Sequence, residues 1–162
     1  MRFIFSWVLV AVSGLWVVPA VAGPFEDALV AAQRGDFATT ASLLRPLVDA
    51  GDPAAQYNLG ILYENGEGVP QDYFEAVHLY GLAARQGHPD AQLNLGAMYG
   101  NGWGVGRDFS EAFSWFSVAA AQGNADATAL RDLAATQLSV EDLAAARILS
   151  GTYWELYVVP FQ

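Results

Sequence analysis

The chain has 162 residues, no cysteine and no lysine, with seven arginines set against 17 acidic residues. The missing cysteine excludes a disulfide framework, so stability has to come from packing. The acidic balance repels nucleic acid and anionic lipid, so a partner is expected to be neutral or basic. The absence of lysine points to a GC-rich coding sequence and hence a bacterial source.

Residues 1–22 read as a signal peptide. Arg2 precedes an apolar run from Phe3 to Val18, Pro19 breaks it, and Ala20-Val21-Ala22 supplies small residues at a cleavage site. The alternative is an uncleaved anchor, since residues 3–22 are uncharged and a span needs about 20 residues. No cysteine follows, which excludes a lipoprotein anchor. Without residues 1–22 the chain keeps six arginines and 17 acidic residues, a formal net charge of −11. The expected location is the periplasm or the secreted fraction of a bacterium, with no membrane association after cleavage. No N-x-S/T sequon is present, which fits that route better than a eukaryotic one.

Residues 23–51 read as a degenerate N-terminal helical unit. Phe25 to Arg34 forms one helix, and Asp36-Phe37 opens a second that holds Leu43, Leu44, Leu47 and Val48. Pro46 predicts a kink or an early end there. Residues 52–87 and 88–123 then align without a gap at an offset of 36, with 18 of the 36 positions identical, which marks a stacked repeat. In the first copy, Asp52 and Pro53 start a helix that carries Ala55, Leu59, Leu62 and Tyr63 and stops at Asn65-Gly66. The loop Glu67 to Gln71 leads to Asp72, a cap with Glu75 at capping-box spacing. Ala76, Leu79, Tyr80 and Ala83 form the second stripe, and Gly87 ends it. The second copy repeats this with Pro89, Asn101-Gly102, Asp108 with Glu111, and Gly123. Gly60 and Gly96 recur inside the first helices, which predicts a packing reason for their cost of about 1 kcal/mol.

Residues 124–150 read as C-terminal capping helices. Ala127, Leu130 and Leu133 mark one, Ser139 with Asp142 starts another that runs through Leu149, and the glycine loop between them is replaced by Gln137-Leu138. The tail, 151–162, holds Tyr153, Trp154, Tyr157 and Phe161. It is expected to fold back as a lid over the last helix rather than stand out as an adhesive segment, because large exposed apolar patches are uncommon.

The pattern Ala55-x-x-x-Leu59-Gly60-x-x-Tyr63, Gly66-x-Gly68-Val69-x-x-Asp72, then Ala76, Tyr80, Ala83-Ala84 and Gly87 resembles the Sel1-like repeat, a relative of the tetratricopeptide repeat. The second copy matches at Ala91, Leu95, Gly96, Tyr99, Gly102, Gly104, Val105, Asp108, Ala112, Phe116, Ala119, Ala120 and Gly123. The resemblance implies an all-α fold: a right-handed α/α superhelical solenoid of about seven to eight helices in antiparallel pairs, with a concave face. It implies an exported scaffold or adaptor that binds a protein or peptide of the cell envelope, possessing neither enzymatic activity nor a cofactor. Similarity to tetratricopeptide proteins places Tyr57, Asn58, Ile61, Glu64 and Asn65, then Asp90, Leu93, Asn94, Ala97 and Asn101, on that concave face. Asn58 and Asn94 suit either a bound peptide backbone or a bond to the neighbouring helix. Trp103, where the first copy has Glu67, is either a contact hot spot or a cap on the next unit.

Catalytic readings find little support in the residues. Gly102-Trp103-Gly104-Val105-Gly106 lacks a preceding strand and a final glycine, since Arg107 stands there, so it is not a phosphate loop. His78 and His88 are the only histidines and form no zinc motif, so no metal site is expected. The pairs Asp72-Glu75 and Asp108-Glu111 are explained by helix capping. Related envelope proteins linked to β-lactam binding suggest a cell-wall- or β-lactam-directed hydrolase as the alternative. Without lysine, however, the S-x-x-K motif cannot exist, and those relatives are cysteine-rich. A second alternative is a membrane-tethered scaffold that retains residues 1–22.

Overall fold

The structure is a computed structural model and describes residues 23–162; the expected signal peptide lies outside the described residues. Among the described residues eight α-helices follow one another: α1 (Pro24–Gln33), α2 (Phe37–Asp49), α3 (Pro53–Asn65), α4 (Tyr73–Ala84), α5 (Pro89–Asn101), α6 (Phe109–Ala121), α7 (Ala125–Ala135) and α8 (Val140–Tyr157), before a short 3-10 turn, Val159–Phe161. Each helix from α1 to α6 packs on the next, and α8 packs on α6 rather than on α7. The fold is an α/α solenoid.

The helix starts are set by side-chain caps at a repeating register. Asp52 Oδ1 accepts the Ala54 and Ala55 amides at 2.8 and 3.0 Å. Asp72 and Asp108 do the same for α4 and α6. Each such cap is worth about 1 kcal/mol. The capping box, however, is only half built. The Asp72 and Asp108 amides donate to the Tyr63 and Tyr99 carbonyls, both at 2.9 Å, so Glu75 and Glu111 have no orphan amide to receive. At the Asp52 register α5 uses a histidine: His88 Nδ1 accepts the Ala91 amide at 3.3 Å. Asn124 serves α7 at the same position.

Glycines fix how closely the units stack. A Cβ on Gly60 would sit 2.7 Å from the Tyr80 ring, and one on Gly96 would sit 2.8 Å from the Phe116 ring. The helix therefore gives up alanine so that the ring of its partner can lie flat against its backbone. The loop glycines are constrained twice. Gly68 and Gly104 have φ of +69° and +68°, and a Cβ there would lie 2.2 Å from backbone atoms of Phe37 and Tyr73. Each glycine loop thus reaches back and seats on the start of the second helix of the preceding unit.

Three apolar clusters run along the axis. Leu44, Leu59, Leu62 and Leu79 centre the first, Tyr80, Leu95, Met98 and Trp115 the second, and Phe113, Phe116 and Ala146 the third. Two buried glutamines join the units. Gln86 donates to Gln56 at 2.8 Å, and Gln122 donates to Gln92 at 2.7 Å, while Gln92 in turn donates to the Ala84 carbonyl at 3.1 Å. Each of the two thus has a hydrogen-bond partner within the stack, as burial requires.

Two sequence expectations change. Pro46 neither ends nor shortens α2, which continues to Asp49; Pro46 is exposed, so water can satisfy the carbonyl left without its amide partner. The last helix does not stop at Leu149, and residues 150–157 extend it. Gly151 costs that helix about 1 kcal/mol. The loss is offset because Tyr153 and Tyr157, one turn apart, both land on Trp115, at 4.5 and 5.7 Å between ring centroids. The tail therefore closes on α6 rather than folding over the last helix, and it carries the buried Val158 to the Gly87 turn, where the Tyr157 carbonyl and the Phe161 side chain meet it.

Candidate functional site

The candidate residues from α3 and α5 divide into two groups. Tyr57, Glu64 and Asn94 come together around Tyr80 of α4. Tyr57 stacks on His88 at 4.7 Å and lies 5.9 Å from the Tyr80 ring. The fully buried Tyr80 donates its hydroxyl to the Glu64 carboxylate at 2.5 Å, and Asn94 faces that hydroxyl and partly opposes the rise in its pKa. Burial first, then the Glu64 carboxylate, hold the Tyr80 phenol far above its ordinary range. Burial also raises Tyr57 and lowers His88, the latter against the pull of Asp90 and Asp52. Asn94 thus faces the adjacent helix α4. Asn58 donates to the Ala54 carbonyl of its own helix at 2.8 Å. Tyr57, Ile61 and Leu93 are half-buried and pack on the core clusters instead of standing free.

The second group is open. Asn65 and Asn101 are exposed at the ends of α3 and α5. Asp90 is exposed and accepts from Asn124 at 3.0 Å. Ala97 and Asn101 line an apolar groove of about 310 Å³ between α5, the start of α6, and α7; Gly100, Phe109, Phe116 and Leu133 complete most of its wall. No charged side chain lines it. Sequence reasoning missed Gly100, Phe109 and Leu133, although the loss of the glycine loop after α7 was the signal for them. Trp103 is outside this groove. It stacks on Tyr73 at 5.4 Å, so it caps the preceding unit, not the next, while remaining 43% exposed.

A smaller, polar cleft of about 170 Å³ lies between α4, α5, α6 and α8, lined by His78, Arg85, Tyr99, Glu111, Tyr153 and Tyr157 among others. Tyr153 donates to both Glu111 oxygens at 3.1 and 3.0 Å, and burial with that carboxylate raises its phenol. The carboxylate left over from the half-built capping box thereby ties down α8. Among the described residues, no three His, Asp or Glu side chains converge as a metal site, and no helix is long and apolar enough to cross a membrane.

The Sel1 repeat family model matches residues 53–88 and 89–124. A protective antigen present in uropathogenic Escherichia coli strains, whose crystal structure displays an SLR fold, is 30% identical over 86% of this chain and 32% of its own, with a TM-score of 0.81. A Sel1 repeat protein from Oxalobacter formigenes is 29% identical over 68% of this chain and 49% of its own, with a TM-score of 0.62. The chain therefore spans about a third and about half of the length of these two structures. No curated protein matches the sequence. The 36-residue register, the G-x-G-V-x-x-D loops seated on the preceding unit, and the matched residues place this chain in the Sel1-like repeat family.

Proposed function

We propose that this protein is an exported, non-enzymatic scaffold that binds a protein or peptide of the bacterial cell envelope along α3, α5 and α7. Sel1 repeats generally mediate protein–protein contacts, which supports the binding half of this reading. The observation that carries it is the groove beside Ala97 and Asn101. It is open, apolar, rimmed by the amides of Asn101 and Gln137, and free of any acid, base or nucleophile pair that would serve a hydrolase. The signal-like segment 1–22 supports export.

Photo-crosslinking in the native host tests it. A photoreactive residue at Asn101 or Asn65 is expected to give a discrete adduct with an envelope protein, whereas one at Ser42, exposed on α2, is not. No adduct from either position, or the same adducts from Ser42, overturns the reading. The mass of the exported protein tests the location: loss of residues 1–22 is expected, and their retention replaces the free scaffold with a tethered one.

A further inference from the structure

The groove is the place where the repeat normally seats its own loop. At the junction before it, Tyr73 opens α4, Trp103 stacks on that ring, and Gly104 lies against the Tyr73 carbonyl. At the junction before that, Gly68 lies against Phe37 in the same manner. Phe37, Tyr73 and Phe109 are spaced 36 apart and hold one register position. The next loop should therefore cover Phe109. It is absent: α7 ends at Ala135 and α8 begins at Val140, with no glycine between them.

The walls changed along with the loop. In register, Ile61 becomes Ala97, Glu64 becomes Gly100 and Met98 becomes Ala134, which removes bulk. Glu64 and Tyr80, which share a hydrogen bond in the first repeat, and Asn94 of the second, which faces them, become Gly100, Phe116 and Leu130, which removes all three polar groups. The result is an apolar volume with the half-buried Phe109 at its mouth, where the Arg107 guanidinium, 5.7 Å from the ring centroid, is the cover in place of a loop.

We infer that the groove between α5, α6 and α7 takes, in trans, an aromatic-glycine turn from a protein partner, in the place where the chain's own loops seat in cis. The inference rests on the protein-binding reading above and adds the chemistry of the occupant. The aromatic ring pairs with Phe109 as Trp103 pairs with Tyr73, and the glycine lets the backbone of the turn approach the start of α6. Both loops of the chain are already seated, so a second copy has none to offer. The formal charge of −11 over residues 23–162 favours a neutral or basic segment over an acidic one.

The probe is a blocked synthetic peptide with the sequence of residues 101–107, Asn-Gly-Trp-Gly-Val-Gly-Arg, titrated into the purified protein and followed by amide chemical shifts. Saturable shifts at Gly100, Leu133 and Gln137 are expected, with a Kd on the order of 0.1–1 mM for so short a ligand. Replacing the tryptophan of the peptide by alanine is expected to weaken binding at least tenfold. Gly100→Leu fills the groove from a helical position whose Cβ would meet only Ala112 at 3.7 Å, and is expected to abolish the shifts. Leu133→Glu, at a side chain 61% exposed, is expected to do so without touching the core. Shifts that fall elsewhere, or that persist in both variants, overturn the inference, as does equal binding of the alanine peptide. A dimer in sedimentation that buries Leu133 overturns it too. If the peptide fails while Asn101 crosslinks persist, the occupant is wrong and the scaffold reading stands; if both fail, both fall.

Discussion

Replacing Gly104 by alanine tests whether the backward seating of the loop carries stability. Two costs apply. Alanine at φ +68° occupies the left-handed region, at about 1–2 kcal/mol. Its Cβ would also lie 2.2 Å from the Tyr73 carbonyl oxygen and 2.4 Å from the carbonyl carbon, a clash with backbone that no side-chain rotation relieves. The loop must lift, which adds about 1–3 kcal/mol of overpacking and forfeits part of the Trp103–Tyr73 stack, worth about 0.5–1.5 kcal/mol. Gly123→Ala separates the terms, because Gly123 has φ +93° and open space around the added methyl. Urea unfolding followed by circular dichroism should therefore show Gly123→Ala losing about 1–2 kcal/mol and Gly104→Ala losing about 2–6 kcal/mol. Equal losses would refute the steric seat and leave only backbone conformation.

Further outcomes follow from other contacts. Tyr80→Phe should cost about 1.5–3 kcal/mol by leaving the Glu64 carboxylate without its donor; Phe116 at the same register shows that the ring alone fits, so a double-mutant cycle with Glu64→Ala, which removes the acceptor, should recover most of the loss as coupling. Tyr153→Phe should loosen the C-terminal half of α8, read as faster amide exchange over residues 151–158 with little change in α3 to α5. For pH, His88 is held below its ordinary value of 6.5 by burial, so the fold favours the neutral ring. Its contribution is full above pH 6.5 and is lost as pH falls from there through the lowered folded value, where a proton on Nδ1 also ends the cap on Ala91. His88→Asn keeps a cap, as Asn124 does, and should make the protein less sensitive than wild type between pH 7.5 and 5.5 in thermal melts.

The helices were legible because their ends are written in local chemistry. Asp52, Asp72 and Asp108 cap what they were expected to cap, and Gly66 and Gly102 take the left-handed turn. The mid-helix glycines were legible as packing positions, but their partners, Tyr80 and Phe116, lie 20 residues away and follow only from the stack. His88 was not legible as a cap, because imidazole accepts an amide only when tautomer and burial allow it. The reach of α8 was missed because Gly151 looks like a stop until Trp115 is placed beneath Tyr153. The groove was half legible. Ala97 and Asn101 are on it, but its emptiness comes from a loop that is not there, and spacing alone does not show what a missing segment would have covered.

The backward seating of the loops gives the chain a direction. Each loop settles on a helix start that precedes it by about 30 residues, Gly68 on Phe37 and Gly104 on Tyr73. A chain that emerges from the ribosome N-terminus first presents every seat before the loop that needs it. Truncation from the C-terminus consequently removes lodgers and leaves their berths intact, whereas truncation from the N-terminus evicts Gly68 from the only platform it has. Shortened variants of this protein should tolerate the first kind of cut and aggregate after the second.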